Sequence, residues 1–262
     1  MRNQFQLVAE QRCVTTLEDS LIELMWRLFA RYYDDVDRAT FVRDLREKDH
    51  VLLLLDRERH TLAGFSTIKS YSRTIGERRV VVVFSGDTIC DERFWGQRAL
   101  HTAFLRYVLR VKIANPFTPV YWFLISKGYK TYLLLARNFP EFWPRHDRST
   151  PVWQLQIIDE LAREKYGEAW LPNRGVLHFE LPAGRLHDGV AAIGATERED
   201  AHIRFFHERN PQATSGDELC CLGRINAALA VNYVRRRLLR LVHRRARETG
   251  SITGRIIKET TR

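Results

Sequence analysis

Residues 80–110, VVVVFSGDTICDERFWGQRALHTAFLRYVLR, combine a strongly apolar run, a short polar turn and a long helical pattern. Gly96 lies in the turn between Arg93 and Arg98, at the start of the predicted helix. The first turn of a helix presents unpaired N–H groups and the positive end of the helix dipole, and glycine lets a ligand approach the backbone closely. The combination predicts an anion-binding site at the exit of a buried strand.

Basic residues on a neighbouring element could extend that site. Lys127, Lys130 and Arg137 bracket the helix predicted after the next strand. Together with Arg93 and Arg98 they would line a mouth suited to phosphate groups, which form strong bonds with charged donors. The alternative is surface charge scattered without a common target.

Cysteine chemistry is a weaker candidate. A thiol at Cys90, beside Arg93 and a helix start, could act as a nucleophile, whereas the alternative is an inert buried thiol. The chain has four cysteines and no CxxC pair. We therefore expect neither a disulfide framework nor a zinc or other metal site, and a reducing compartment fits best.

The overall composition narrows the class of protein. Apolar residues make up 45% of the 262 residues, which favours a packed core. The formal net charge of +10 implies an acidic partner, such as nucleic acid, anionic lipid, a phosphate-bearing cofactor or an acidic protein. The N-terminus lacks the apolar core of a signal peptide, and no apolar run is long enough to span a membrane. We expect a cytoplasmic protein that could also bind the inner membrane face peripherally.

Hydrophobic periodicity predicts the elements that would position these residues. The order over the first half is α-α-β-β-β-α-β-α, with a hairpin, a doubly buried strand at residues 78–89 and a further strand at residues 120–126. A helix, a strand and a short helix follow, and a basic helix is predicted over about residues 217–249. We expect two units, residues 1–182 and a helical extension at residues 183–262.

This order and the strand–turn–helix junction resemble the GNAT superfamily of N-acyltransferases, over roughly residues 17–143. The implied fold class is α/β (α+β), with a GNAT-like mixed sheet flanked by helices. The family signature Q/R-x-x-G-x-G/A holds the pyrophosphate of acyl-CoA on backbone N–H groups. Arg93 and Gly96 match its first two fixed positions, Arg98 replaces the small residue, and Ala99 comes one place late. The donor-binding residues that the resemblance implies are Arg93, Gly96, Gln97, Arg98, Ala99, Lys127 and Lys130.

The resemblance also implies a catalytic arrangement, in which the strand at residues 120–126 splays from its neighbour to admit the pantetheine arm. Asp87, at the exit of the strand before it, becomes the candidate base, although an N-cap or turn residue in SGDT is the alternative. Alternation along the strand would place Val81, Val83, Ser85 and Asp87 on one face and Val82, Phe84, Gly86 and Thr88 on the other. The family's usual tyrosine acid is missing from residues 138–142, and Tyr129 or Tyr132 could replace it.

Two functions follow as hypotheses. The first is an N-acyltransferase that moves an acyl group from acyl-CoA, or from the phosphopantetheine of an acidic acyl carrier protein, to an amine. The second is a non-catalytic, degenerate GNAT-like module that binds anionic membrane or nucleic acid through its basic C-terminal helix. No RNA-binding motif occurs, and we expect no nucleic-acid partner for the enzyme. The sequence gives no indication of the oligomeric state, the acceptor amine or the acyl length.

Overall fold

The computed structural model describes residues 7–59, 61–180, 185–186, 197–236 and 238–239. Its helices are α1 (Asp19–Phe29), α2 (Arg38–Arg46), α3 (Ala99–Ala114), α4 (Tyr129–Asn138), α5 (Val152–Tyr166) and α6 (Ala201–Arg209). Its longer strands are β1 (Leu7–Cys13), β3 (His50–Asp56), β4 (Thr61–Ile75), β5 (Arg78–Cys90), β6 (Val120–Ser126) and β11 (Glu218–Ile225). Two-residue strands are β2 (Tyr33–Asp34), β7 (Phe142–Trp143), β8 (Trp170–Leu171), β9 (Val176–Leu177) and β10 (Arg185–Leu186).

One sheet organises the described part of the chain, in the order β1-β3-β4-β5-β6-β11-β9-β8, with β7 also paired to β11. All of its neighbouring strands are antiparallel except β5 and β6, which are parallel. A parallel pair requires a crossover, and α3 supplies it. The predicted fold class, a mixed sheet flanked by helices, is confirmed, as is the β-β-β-α-β-α order within it.

Side chains of the sheet alternate between its two faces and pack into a separate hydrophobic core on each face. Val81 and Val83 pack with α3, α4 and α6 on one face. Val82 and Phe84 pack with α5 on the other, and β3 and β4 contact α1 and α2 on that same side. The four consecutive valines thus mark a strand covered on both faces, as the sequence predicts.

The predicted C-terminal helix is wrong over its first part. Residues 218–225 form β11, which pairs with β6 and completes the sheet, and a helix begins only at residue 227. The helix is described through residue 236 and again at residues 238–239. Most of the arginines that make this segment basic, at positions 237, 240, 244, 245 and 247, lie outside the described residues. The unit boundary at residues 182 and 183 stays a prediction, although β11 lies beyond it.

Candidate functional site

Strands β5 and β6 separate at their C-terminal ends. Residues 81–85 of β5 pair with residues 120–124 of β6, and no later pair joins the two strands among the described residues. Strand β5 continues to Cys90 on β4, and β6 continues to Ser126 on β11. The edge of β5 that faces β6 therefore carries backbone groups without a strand partner beyond Ser85. Unpaired strand groups of this kind can bind an extended amide ligand.

Asp87 lies at this opening, but on the face opposite to the predicted one. The pairing of β4 with β5 shifts register between Ser66 and Ile68, so two residues of β5 stand against one of β4. Such a bulge interrupts the alternation of faces. Ser85 accepts a hydrogen bond from Trp122 on the α3 side. Asp87 instead has Lys48, which follows α2, and Lys165, near the end of α5, as charged neighbours.

Glu218, the first residue of β11, lies on the same side of the cleft as Asp87. Its carboxylate forms an ion pair of 3.2 Å with Lys127, which follows β6. The Lys127 ammonium also lies 5.4 Å from the centre of the Tyr33 ring. Sequence reasoning missed Glu218 because the segment was read as helix; the short apolar run LCCL before Gly223 was the available signal for a strand.

Burial and charge act in opposite directions on the two carboxyl groups. Burial raises the pKa of Asp87, while Lys48 and Lys127 act to lower it. Burial likewise raises the pKa of Glu218, against the effect of Lys127. Burial, followed by the nearby charge of Lys165, lowers the pKa of Lys48. A carboxyl group of raised pKa next to a cleft has the properties expected of a general base that works near neutral pH.

The turn between β5 and α3 is open to solvent. Residues 95–98 are exposed, and Gly96 has a φ of +82°, which favours glycine. Helix α3 begins at Ala99 and no side chain caps it. Its first N–H groups are therefore left for solvent or a ligand. Gly96, Gln97 and Arg98 thus lie in an exposed turn that leads into Ala99 at the start of α3, and anion binding there stays a prediction.

Arg93, predicted to bind the donor, forms an ion pair within the protein. Its guanidinium forms a two-pronged ion pair with Asp91, at 2.9 Å for each bond, and Arg31 adds a third bond at 3.0 Å. These interactions hold the pKa of the buried Asp91 at about 2, with the Arg93 bonds as the largest cause. Arg93 thus anchors the turn to the end of β5, and it shares the single negative charge of Asp91 with Arg31.

Lys130 brings α4 to the same turn. Its ammonium lies 4.3 Å from the centre of the Trp95 ring, a cation–π contact between α4 and the segment that follows β5. The Trp95 indole N–H donates to the Cys90 carbonyl at 2.9 Å. Lys130 and the exposed turn therefore share one end of the cleft, whereas Lys127 lies at the Asp87 end.

The two predicted tyrosine acids lie apart from Asp87. The Tyr132 side chain is fully buried among aromatic residues on the α3 side, and its hydroxyl donates to the Pro144 carbonyl at 3.0 Å. Tyr129 is buried at the start of α4, and burial, followed by the charge of Glu197, raises its pKa. Tyr132 is a packing residue in this structure, and both tyrosines belong to the core on the α3 side of the sheet, opposite to the face of Asp87.

A nucleophilic Cys90 is not supported by its surroundings. Burial, followed by the charge of Asp91, raises the pKa of Cys90 to about 11, which keeps the thiol protonated near neutral pH. Within the described ranges, no group of His, Cys, Asp or Glu side chains could hold a metal ion. The described helices also include none with the length and apolar character needed to cross a membrane.

Comparisons with known proteins return similarity of structure only. No protein-family model and no curated protein matches the sequence. An acetyltransferase of Trypanosoma brucei is 17% identical, with 55% of this chain and 98% of that chain covered at a TM-score of 0.35. A predicted acetyltransferase of Clostridium acetobutylicum with acetyl-CoA is 9% identical, with 56% and 96% covered at 0.41. A GNAT-family N-acetyltransferase of Escherichia coli in complex with CoA is 19% identical, with 46% and 64% covered at 0.33.

At these identities and TM-scores the likeness concerns the fold, and nothing about activity follows from it. The site described above, in which β5 and β6 part beside Asp87 and an exposed helix start, rests on the geometry of this chain and does not depend on those proteins.

Proposed function

We propose that this protein is an N-acyltransferase that takes an acyl group from a thioester donor and transfers it to an amine. The observation that carries the proposal is the separation of β5 from β6 beyond Ser85, with Asp87 at the opening. A pantetheine arm is an extended chain of amides, so it would bind the free edge of β5 as a further strand does.

The two ends of the cleft suit the two ends of such a donor. The exposed turn at residues 95–98 and the uncapped start of α3 lie at one end, with Lys130 beside them. Unpaired N–H groups and an ammonium favour the diphosphate of acyl-CoA. The proposed acyl-CoA donor therefore places its phosphates at the turn and its thioester next to Asp87. The phosphopantetheine of an acyl carrier protein would present the same arm and stays a prediction.

The chemistry is direct transfer in this proposal. Asp87 accepts a proton as the amine nitrogen attacks the thioester carbonyl carbon, and backbone N–H groups at the end of β5 stabilise the negative oxygen. The new C–N bond forms, the C–S bond breaks, and the sulfur leaves as a thiolate that is protonated by solvent. No covalent enzyme intermediate is required, which agrees with the protonated state of Cys90.

A thermal-shift assay against CoA, acetyl-CoA, long-chain acyl-CoA and acyl carrier protein tests donor binding, with an oligonucleotide as the competing ligand. Release of free CoA in the presence of an amine mixture tests transfer. We expect Asp87→Asn to keep donor binding and to lower turnover about 100-fold or more, the range for loss of a general base. Asp19→Asn, on the exposed first turn of α1, is the matched control. Stabilisation by the oligonucleotide alone would exclude the enzyme.

A further inference from the structure

Three lysines surround Asp87, and two of them share one aromatic ring. The ammonium groups of Lys48 and Lys165 lie 5.8 Å and 5.0 Å from the centre of the Phe84 ring, three residues before Asp87 on β5. Lys127 is the third, on the β6 side of the cleft. These lysines come from three separate parts of the chain, so tertiary folding brings their like charges together.

The positive charges of the three lysines exceed the negative charges of the carboxylates beside them. Lys127 is matched by Glu218, its partner at 3.2 Å. Lys48 and Lys165 remain, with Asp87 as their shared carboxylate; the Lys48 ammonium also donates to the Asp44 main-chain carbonyl at 2.7 Å, and neither lysine forms an ion pair with a described residue. Asp44 and Glu47 also act on Lys48, but both are exposed on α2 or just after it, where water and salt screen their charge. Around Asp87, the ammonium groups of Lys48, Lys127 and Lys165 therefore outnumber the carboxylates of Asp87 and Glu218 by one, with Lys165 at the solvent-exposed edge of the group.

Gly86 leaves room for the Lys48 side chain, because it has no Cβ. A Cβ at Gly86 would lie 2.9 Å from Cε of Lys48 and 2.6 Å from the Thr67 hydroxyl oxygen. That hydroxyl is buried and has no hydrogen-bond partner among the described residues. A buried polar group without a partner costs free energy, and such groups recur at ligand sites. A glycine, a positive charge and an unsatisfied hydroxyl thus meet directly beside Asp87.

We propose that the acceptor is an amine that also carries an anionic group, a carboxylate or a phosphate, bound by Lys48 and Lys165. This inference rests on the proposed acyl transfer and names its acceptor. The amine then reaches Asp87 while the anion neutralises the surplus ammonium over Phe84. Lys165 is exposed, so the anionic group approaches from solvent on the α5 side of the sheet.

Matched pairs of amines test the proposal: leucine with leucinamide, and O-phosphoethanolamine with ethanolamine. CoA release from acyl-CoA is measured, with KM expressed for the unprotonated amine so that differences in amine pKa cancel. We expect the anionic member of at least one pair to be preferred by about tenfold or more, as a charged hydrogen bond allows. The carboxylate and phosphate pairs distinguish the two anions.

Lys48→Gln and Lys165→Gln are expected to remove that preference, measured as the ratio of kcat/KM between the two members of a pair, because both lysines also act on Asp87 and affect the rate with either amine. Arg106→Gln removes one charge from the exposed face of α3, across the sheet, and should leave the preference intact. Thermal shift with the same amine pairs gives a second readout that does not require turnover. Retention of the preference in Lys165→Arg would show that the positive charge at position 165 is the determinant.

The outcomes separate the two proposals. Equal use of charged and uncharged amines, with equal stabilisation, overturns the anionic acceptor and leaves acyl transfer standing. Stabilisation by the anionic amine that is lost in Lys48→Gln, without CoA release from any donor, supports the anion site and overturns the transferase. Retention of the anionic preference in both lysine variants overturns the assignment of this site.

Discussion

Asp87 occupies an environment in which small changes move its protonation state. Burial favours the neutral acid, whereas Lys48, Lys127 and Lys165 favour the carboxylate. A base at this position must lose its proton before the amine arrives and must still bind a proton well enough to accept one. The raised pKa strengthens proton binding during the reaction, and the lysines favour the carboxylate form before the amine arrives.

The first prediction concerns the pH dependence of Asp87. Because its pKa is raised, kcat/KM should increase with pH through a value above the usual figure of about 4 for aspartate. A pH profile of wild type and Asp87→Asn checks this, with an acceptor of known amine pKa. In the variant, kcat/KM should no longer change with pH through the Asp87 pKa but should still change through the pKa of the amine. An identical profile in both proteins would rule out Asp87 as the base.

The second prediction concerns Gly86. In Gly86→Ala the new methyl group would meet Thr67 and Lys48, and we expect a loss of stability of about 1–3 kcal/mol, as for other overpacked sites. Urea unfolding measures the loss. Lys48→Ala in the same background should recover part of it, because one of the two clashes disappears. Additive effects of the two substitutions would mean that Lys48 does not lie against Gly86.

At the scale of elements, the β5–α3 turn is held in place by charge. Asp91 is almost fully buried and binds the two exposed guanidinium groups of Arg93 and Arg31. Arg31 follows α1, so this carboxylate joins the N-terminal helices to the turn that carries Gly96. A turn fixed in this way can present its N–H groups in one arrangement, which lowers the entropy cost of binding an anion.

The third prediction tests that anchor. The pKa of Asp91 is lowered to about 2, below its unfolded value of about 4, so its stabilisation is complete above pH 4 and is lost as the pH falls toward 2. We expect Asp91→Asn to cost about 1–2 kcal/mol at pH 6, a figure reduced for the solvent exposure of the arginines. Urea unfolding at pH 6 and pH 3 is the measurement. The difference between the variant and wild type should fall by about half at pH 3, which lies midway between the two pKa values, and a constant difference would contradict the ion-pair explanation.

At the scale of the whole molecule, the chain returns to its sheet near its end. Strand β11 pairs with β6 on one side and with β9 and β7 on the other. Leu219 and Cys221 enter the core on the α3 side, while Cys220 and Leu222 enter the core on the α5 side. The same strand supplies Glu218 to the candidate site. The two cores and the candidate site therefore all include a segment that begins more than 90 residues beyond β6 in the chain.

The fourth prediction is that a chain ending at residue 216 does not fold, whereas one ending at residue 239 does. The shorter chain loses β11 and exposes one edge of β6. Each buried leucine contributes about 1.5–3 kcal/mol, so the loss approaches a typical domain stability of about 5–15 kcal/mol. Circular dichroism and thermal melting compare the two chains. A cooperative transition in the shorter chain would show that β11 is dispensable for folding.

Elements with strong local signals could be predicted from the sequence. Four valines in β5, the apolar β6 and the helical spacing of α3 gave the strands, the crossover and the mixed sheet, because periodicity is a local property of the chain. Gly96 was placed in the turn before this helix for the same reason. Asp87 was also located at the correct end of β5, since strand length follows from the apolar run.

The groups that meet at Asp87 come from segments that are distant in sequence, so only the folded structure shows them. The bulge that turns Asp87 toward α5 arises from pairing between β4 and β5, and no pattern within β5 alone reveals it. Glu218 joins the cleft because β11 completes a sheet begun far earlier in the chain. Arg93 forms an ion pair with Asp91, which Arg31 also binds, and Tyr132 is buried in the core. Burial and the Arg31 bond depend on neighbours that are distant in sequence. Contacts of this kind are set by the whole fold, so local residue types could not assign them.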